Sequence, residues 1–484
     1  MSHDNYAFTG STDFVDPSKK SQLSNVSRYG TKDLTNGFHA VELEDKRKIA
    51  KEMEGDYDPY LHRQVQHPTT FLETLFHFMK GSLGTGILAM PKAFNNAGYL
   101  LGTVGTLIVG LICTYCIRIL IKSEYELCRR KKTPSMTFPM TMETALEEGP
   151  QWIRRYSKWC PHIVNLFLMI YQLGTCCVYT VFIATNLQKA LESHIGSYDL
   201  RMYMLVLLLP LILINWIRNL KLLAPLSTVA NGITLISFGI ILYFIVEDPS
   251  KITLEGKHAI GKYGDFPLFL GTVLFALEAI GVIMPLENEM KKPKKFLTTC
   301  GVLNIGMAVN IILYVGLGFF GYIWAGDEVH GTITTNLPQK HFLSKVVQIL
   351  LALSIYITHS LQCYVAIDIS WNEYIQPKIK HVSAKALVFW EYVVRTLIVV
   401  FTFILAIAVP ELELFISLFG ALCLSALGIS FPALIQICAF WKVKSTRERV
   451  FLSAKNSALI LFGFLGLIIG SYVSLKKIVE NFSK

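Results

Sequence analysis

Charge is what this chain has least of. Asp, Glu, Lys and Arg make up 17% of its 484 residues, against 52% hydrophobic residues. Soluble globular chains carry about a quarter charged residues, and the few here gather in short blocks between apolar runs. That pattern excludes an ordinary soluble domain and fits an integral membrane protein. The net charge of +10 is no nucleic-acid footprint, because no basic segment is interleaved with stacking aromatics, and no nucleic-acid partner is expected. Lysines instead flank apolar spans, as a positive-inside bias places them. An apolar h-region after Met1 is also missing, so no cleaved signal peptide is expected. The longest loop, about 130–160, is too small to fold alone, and no nucleophile–base constellation is visible. We expect no enzyme. Ten cysteines are present, but Cys113 with Cys116, and the Cys176–Cys177 pair, lack a supporting His or further Cys. They read as small packing residues, and neither a metal nor an organic cofactor is expected.

A helix crosses a bilayer with about 20 apolar residues. By that measure there are eleven spans, near 69–94, 98–122, 162–190, 202–217, 222–246, 266–289, 299–324, 343–369, 387–409, 413–440 and 456–475. The polar residues 1–66 are expected to form a disordered cytosolic tail, ahead of a transmembrane domain at 67–480. With the N-terminus inside, the cytosolic loops hold roughly twenty Lys and Arg against about five outside, which sets the orientation. Lys476 and Lys477 break the rule, since eleven helices place them outside.

Two spans carry interruptions. Span one contains Gly81-Ser82-Leu83-Gly84-Thr85-Gly86 followed by Pro91, and span six contains Leu277-Glu278-Ala279-Ile280-Gly281 followed by Pro285. Backbone that leaves the helix at membrane depth survives only where protein or a water-filled cavity supplies its hydrogen bonds. A pair of such breaks, one in each half, points to a midplane binding site in a secondary transporter. The expected fold is therefore all-α and polytopic. Two inverted five-helix repeats, with broken helices 1 and 6, form a leucine-transporter-like arrangement, and the eleventh helix is an appendage.

At the first break, Gly81, Ser82, Gly84, Thr85 and Gly86 leave no bulk over the backbone. Free N–H groups at the start of the second half-helix can hold a carboxylate; the alternative is a small-residue face for close helix packing. At the second break, carbonyls freed near Phe275, Leu277, Glu278 and Ala279 can face an amine. Glu278 is an ionisable group near mid-membrane, either functional or a structural carboxyl bridging the two broken helices. His77 lies one turn before the glycines, on one face with Glu73 and Lys80, and its pKa of about 6.5 suits proton exchange; a silent hydrogen-bonded histidine is the alternative. Glu287 and Glu289 read as interfacial, and Glu391 with Arg395 as a structural i, i+4 pair.

Leu75-Phe76-His77, with Lys80-Gly81 and Gly84-Thr85-Gly86, resembles the first helix of the proton-coupled amino-acid transporters (solute carrier family 36, in the amino acid/auxin permease group). Further matching strings are Gln172-Leu173-Gly174 with Cys176-Cys177-Val178-Tyr179, Ile217-Arg218-Asn219-Leu220, Leu286-Glu287-Asn288, and Leu361-Gln362 with Tyr364-Val365. The resemblance covers about 70–480. It implies symport of small neutral amino acids with protons, which serve as the coupling ion, at the plasma membrane or a late endosomal or lysosomal membrane. It also implies a proton-coupling role at His77. Where the family commonly has Phe-Glu-Gly, this chain reads Leu277-Glu278-Ala279, which changes the expected pocket wall. No cysteine lies near 326–341, so an inter-loop disulfide known in mammalian members is not expected. The rival readings are an amino-acid sensor that transports little and signals to growth control, and a channel, for which no filter or pore-lining ring is visible.

Overall fold

The computed structural model describes residues 57–482 apart from Gln66, His67, Leu83, Ser197, Asn219, Glu278, Ala279 and Lys380. Most of the polar tail (1–56) and the Glu278–Ala279 pair thus lie outside the described residues.

Apolar runs become helices because a lipid-facing backbone can satisfy its N–H and C=O groups only within itself. A short helix, α1 (Pro59–His62), is capped by the Asp58 carboxylate. The first span is two half-helices, α2 (Phe71–Ser82) and α3 (Thr85–Ala97). Then come α4 (Tyr99–Lys131), α5 (Cys160–Ile195), α6 (Leu200–Asn215) and α7 (Leu220–Glu247). The sixth span is described as α8 (Phe266–Leu277) and α9 (Ile280–Asn288), on either side of the undescribed pair. It is followed by α10 (Val302–Ala325), α11 (Phe342–Asp368), α12 (Ala384–Ala408), α13 (Leu412–Ala439) and α14 (Thr446–Phe482). Among the described residues, nine helices are long and apolar enough to cross a membrane; α6 is apolar but shorter.

Burial sorts these helices into a centre and a rim. Of the long spans, α13 is the most enclosed and α14 the least. Residues Gly420–Ser430 of α13 are π-helical. A Cβ on Gly420 would lie only 1.9 Å from the Gly271 carbonyl oxygen of α8, so glycine alone permits this backbone contact. Cys113, Cys116, Cys176 and Cys177 are buried in the packed core, as their apolar surroundings imply.

Charged ends explain two features that composition leaves open. Lys477 pairs with Asp265 at 2.6 Å and Lys476 lies 3.8 Å from Glu480, so both lysines that break the loop-charge rule are met by carboxylates. Residues 57–65, assigned to the tail by their polarity, carry α1 and are packed, with Asp58 and Pro59 buried. Just beyond them, the Thr69 N–H donates to the Glu289 carbonyl and the Lys291 N–H to the Thr69 carbonyl, each at 2.9 Å.

Candidate functional site

The first interruption is built from small residues. α2 ends at Ser82 and α3 begins at Thr85, with Gly84 in extended backbone before it. The Gly84 N–H donates to the Ser82 carbonyl at 2.9 Å, and the Tyr314 hydroxyl of α10 donates to the same oxygen. A carbonyl freed at the break is thus held by protein. No side chain caps the start of α3, although the first N–H groups of a helix lack intrahelical acceptors and carry its positive end. Thr85 Oγ1 on that turn is buried, without a hydrogen-bond partner among the described residues. So are Gln172 Oε1 of α5 and both amide atoms of the Asn310 side chain on α10. Buried polar atoms without partners are uncommon in native proteins. Several within one set of packed helices give that region unused capacity for a small polar solute.

The three glycines let three different walls approach. A Cβ on Gly81 would lie 2.9 Å from Val282 Cγ2 of α9, one on Gly84 3.3 Å from the Tyr179 hydroxyl of α5, and one on Gly86 2.6 Å from the Ala276 Cα of α8. The Tyr179 hydroxyl faces the Gln362 side chain of α11. Gln172 Nε2 lies 3.7 Å from where a Cβ on Gly281 would be. The break in span one therefore meets both parts of span six and the α5–α11 pair.

Other expected site residues fall in distinct places. Phe275 is buried and packs edge-on to Tyr171, with ring centroids 6.0 Å apart. Leu277 is fully buried, with a δ-carbon beside Gly110 of α4, where Ile311 of α10 also packs. Glu278 and Ala279 lie outside the described residues. His77 occupies another face of α2. Thr74, Phe78 and Ser82 point inward and are buried, whereas Glu73, Phe76 and His77 are exposed. Glu73 and His77 stand one turn apart on this face, as the i, i+4 spacing implies.

Sequence reasoning gave no role to Gln172, Tyr179 and Gln362, although all three stand in the strings that carried the resemblance. Asn310 and Tyr314 were passed over; a lone Asn within an apolar span was the available signal. Glu391 and Arg395 do form the expected pair, with Glu391 Oε1 accepting from Arg395 Nε at 3.1 Å and Nη2 at 3.0 Å.

Residues 67–476 match the family described as "Transmembrane amino acid transporter protein". The chain belongs to this family. It is 38% identical over 429 residues to the "Proton-coupled amino acid transporter-like protein pathetic" of Drosophila melanogaster, covering 88% of this chain and 89% of the relative. It is 25% identical over 468 residues to the "Probable amino acid transporter skat-1" of Caenorhabditis elegans, covering 91% of this chain and 99% of that one. Among solved structures it is similar to the inward-facing conformation of Mhp1, with a TM-score of 0.53 at 12% identity over 88% of this chain and 92% of that one. At that identity the likeness is one of fold. The amino acid transporter is thus a multi-pass, all-helical membrane protein and not an enzyme, and the family resemblance read from its first helix is borne out.

Proposed function

We propose that this transporter carries small neutral amino acids toward the cytosol together with protons, on eleven transmembrane helices, at the plasma membrane or a late endosomal or lysosomal membrane. The observation that carries the reading is the start of α3, where, among the described residues, no side chain caps the helix and Thr85 Oγ1 has no partner. A substrate carboxylate at the Ser82–Gly86 break, on the N–H groups that open α3, would meet the positive helix end. Its amine would face carbonyls near Phe275–Glu278. His77 handles the proton from the exposed face of α2, an imidazole being the side chain suited to proton exchange near neutral pH. That a relative of 38% identity is named as proton-coupled supports the coupling.

Uptake of a radiolabelled amino-acid panel into proteoliposomes, under imposed pH gradients, tests this. Acid outside should drive electrogenic uptake of alanine, serine and glycine, and decarboxylated amines should fail to compete. Unchanged uptake between external pH of about 5.5 and 7.5, across the range of an ordinary histidine, would sink proton coupling. Full pH-driven transport in His77→Ala would move the role elsewhere. Saturable binding without flux would leave a sensor.

A further inference from the structure

Residues 57–65 are fastened to the bundle by a buried charge cluster. Arg63 Nη1 lies 2.9 Å from Glu287 Oε2, and Arg63 Nη2 lies 3.8 Å from Glu124 Oε2; the three side chains are 6%, 2% and 2% exposed. Arg63 also donates to the Glu287 carbonyl at 3.2 Å and, through Nε, to the Pro134 carbonyl at 3.0 Å. One guanidinium thereby caps the last turn of α9 while bridging to α4. Glu124 Oε1 accepts from the Met136 N–H at 3.1 Å and from the Cys128 thiol at 3.2 Å.

The charges in this cluster do not balance. Two carboxylates share a single cation, and Glu287 sits at the negative end of the α9 dipole. Burial opposes the charge on Arg63, yet Glu287 and Glu124 hold it above its ordinary range, so it is a full cation. Among the described residues, no second cation makes up the deficit. Tyr60 lies over Arg63 with its ring centroid 4.7 Å away. Burial first, and then Glu287, push its hydroxyl well above the usual phenol range, so it stays neutral. Lys294 is spent on Asp58 at 2.9 Å, and Asp58 also accepts from Tyr125 at 3.3 Å. His62 turns its Nδ1 to the Asp58 carbonyl at 3.0 Å. An uncompensated negative charge in a buried site is costly, and two carboxylates this close to one cation relieve it by keeping one proton between them.

We propose that Arg63, Glu124 and Glu287 form a proton-binding site that locks residues 57–65 onto α4 and α9 and gives up its proton when they separate. The proton belongs to the pair of carboxylates rather than to either one. Once parted and in water, both carboxylates titrate near about 4.3 and hold no proton at neutral pH. The locked state therefore binds one more proton than the open state. Acid favours the lock, and raising the pH weakens it by at most about tenfold per pH unit. This inference goes beyond the transport reading and does not depend on it, since the lock is measured without substrate or flux.

Hydrogen–deuterium exchange on the full chain in nanodiscs tests it, at about pH 6 and pH 8, either side of neutrality and well above ordinary carboxylate values. Rates in peptides covering 57–65 are corrected for intrinsic exchange. Protection in the wild type should be several-fold lower at the higher pH. Glu124→Gln and Glu287→Gln each put a neutral amide where the shared proton would sit, and should flatten that dependence. His62→Gln should leave it intact. Asp58→Asn should lower protection at both pH values and keep the ratio. Equal wild-type protection at both pH values would overturn the proposal. So would full pH dependence in either Gln variant that elutes as a folded monodisperse peak, or its loss in His62→Gln.

Discussion

The Tyr314 hydroxyl reaches across from α10 to the Ser82 carbonyl, the last carbonyl of α2 before the chain turns into α3. Removing that hydroxyl leaves the oxygen with the Gly84 N–H alone in a buried setting. Tyr314→Phe should therefore cost about 1–2 kcal/mol of stability, read as a lower melting temperature in detergent. Uptake should fall by more than the loss of folded protein, because the break itself is loosened. A variant with wild-type melting and uptake would show that the carbonyl needs no such cap.

The glycines of the break should differ in tolerance. At Gly86 an added methyl meets the Ala276 backbone at 2.6 Å, whereas at Gly84 it meets only the Tyr179 hydroxyl at 3.3 Å. Gly86→Ala should lose about 1–3 kcal/mol through overpacking and most of its transport. Gly84→Ala should fold normally and show an altered KM. Thermal melting and uptake kinetics on both variants check the order.

Pocket size should respond to Phe275 rather than Leu277. Leu277 is wedged beside Gly110, while Phe275 meets Tyr171. Leu277→Phe is expected to lower stability by about 1–3 kcal/mol and leave the rank order of substrates unchanged. Phe275→Leu should shift competition toward larger neutral amino acids. A reordering by Leu277→Phe alone would place that side chain at the substrate after all.

A surface link gives a pH signature. Lys442 Nζ lies 2.9 Å from Glu148 Oε2, and this hydrogen bond holds the Glu148 carboxyl below its ordinary value, burial opposing. A lowered carboxylate contributes stability above its unfolded value and loses it as the pH falls through its folded one. Lys442 is exposed and Glu148 half-buried at the surface, so Lys442→Met should cost at most about 1 kcal/mol at pH 7. The difference should vanish in strong acid and shrink in high salt.

The spans and the first interruption were legible because they rest on local signals. Long apolar runs mark crossings, and Gly81, Gly84 and Gly86 with Pro91 mark the break. Less legible was anything held by distant partners. Arg63 lies in a polar stretch with no local mark of burial; its partner Glu287 is 224 residues away, and the pair reads as two unrelated surface charges until the fold joins them. His77 shows the opposite limit. Its depth in the span could be read, but its face could not, because the i, i+4 row of Thr74, Phe78 and Ser82 takes the inward side.

The pairing of Thr69 with the backbone around Met290 also fixes how this end of the molecule can move. Two main-chain bonds tie the entry to α2 to the exit from α9, much as a hinge pin joins two plates. While both bonds hold, the two half-helices move as one leaf. Opening a cleft between them breaks both bonds, at about 0.5–1.5 kcal/mol each. The row that exposes Glu73, Phe76 and His77 lies on another side of α2, away from this tie.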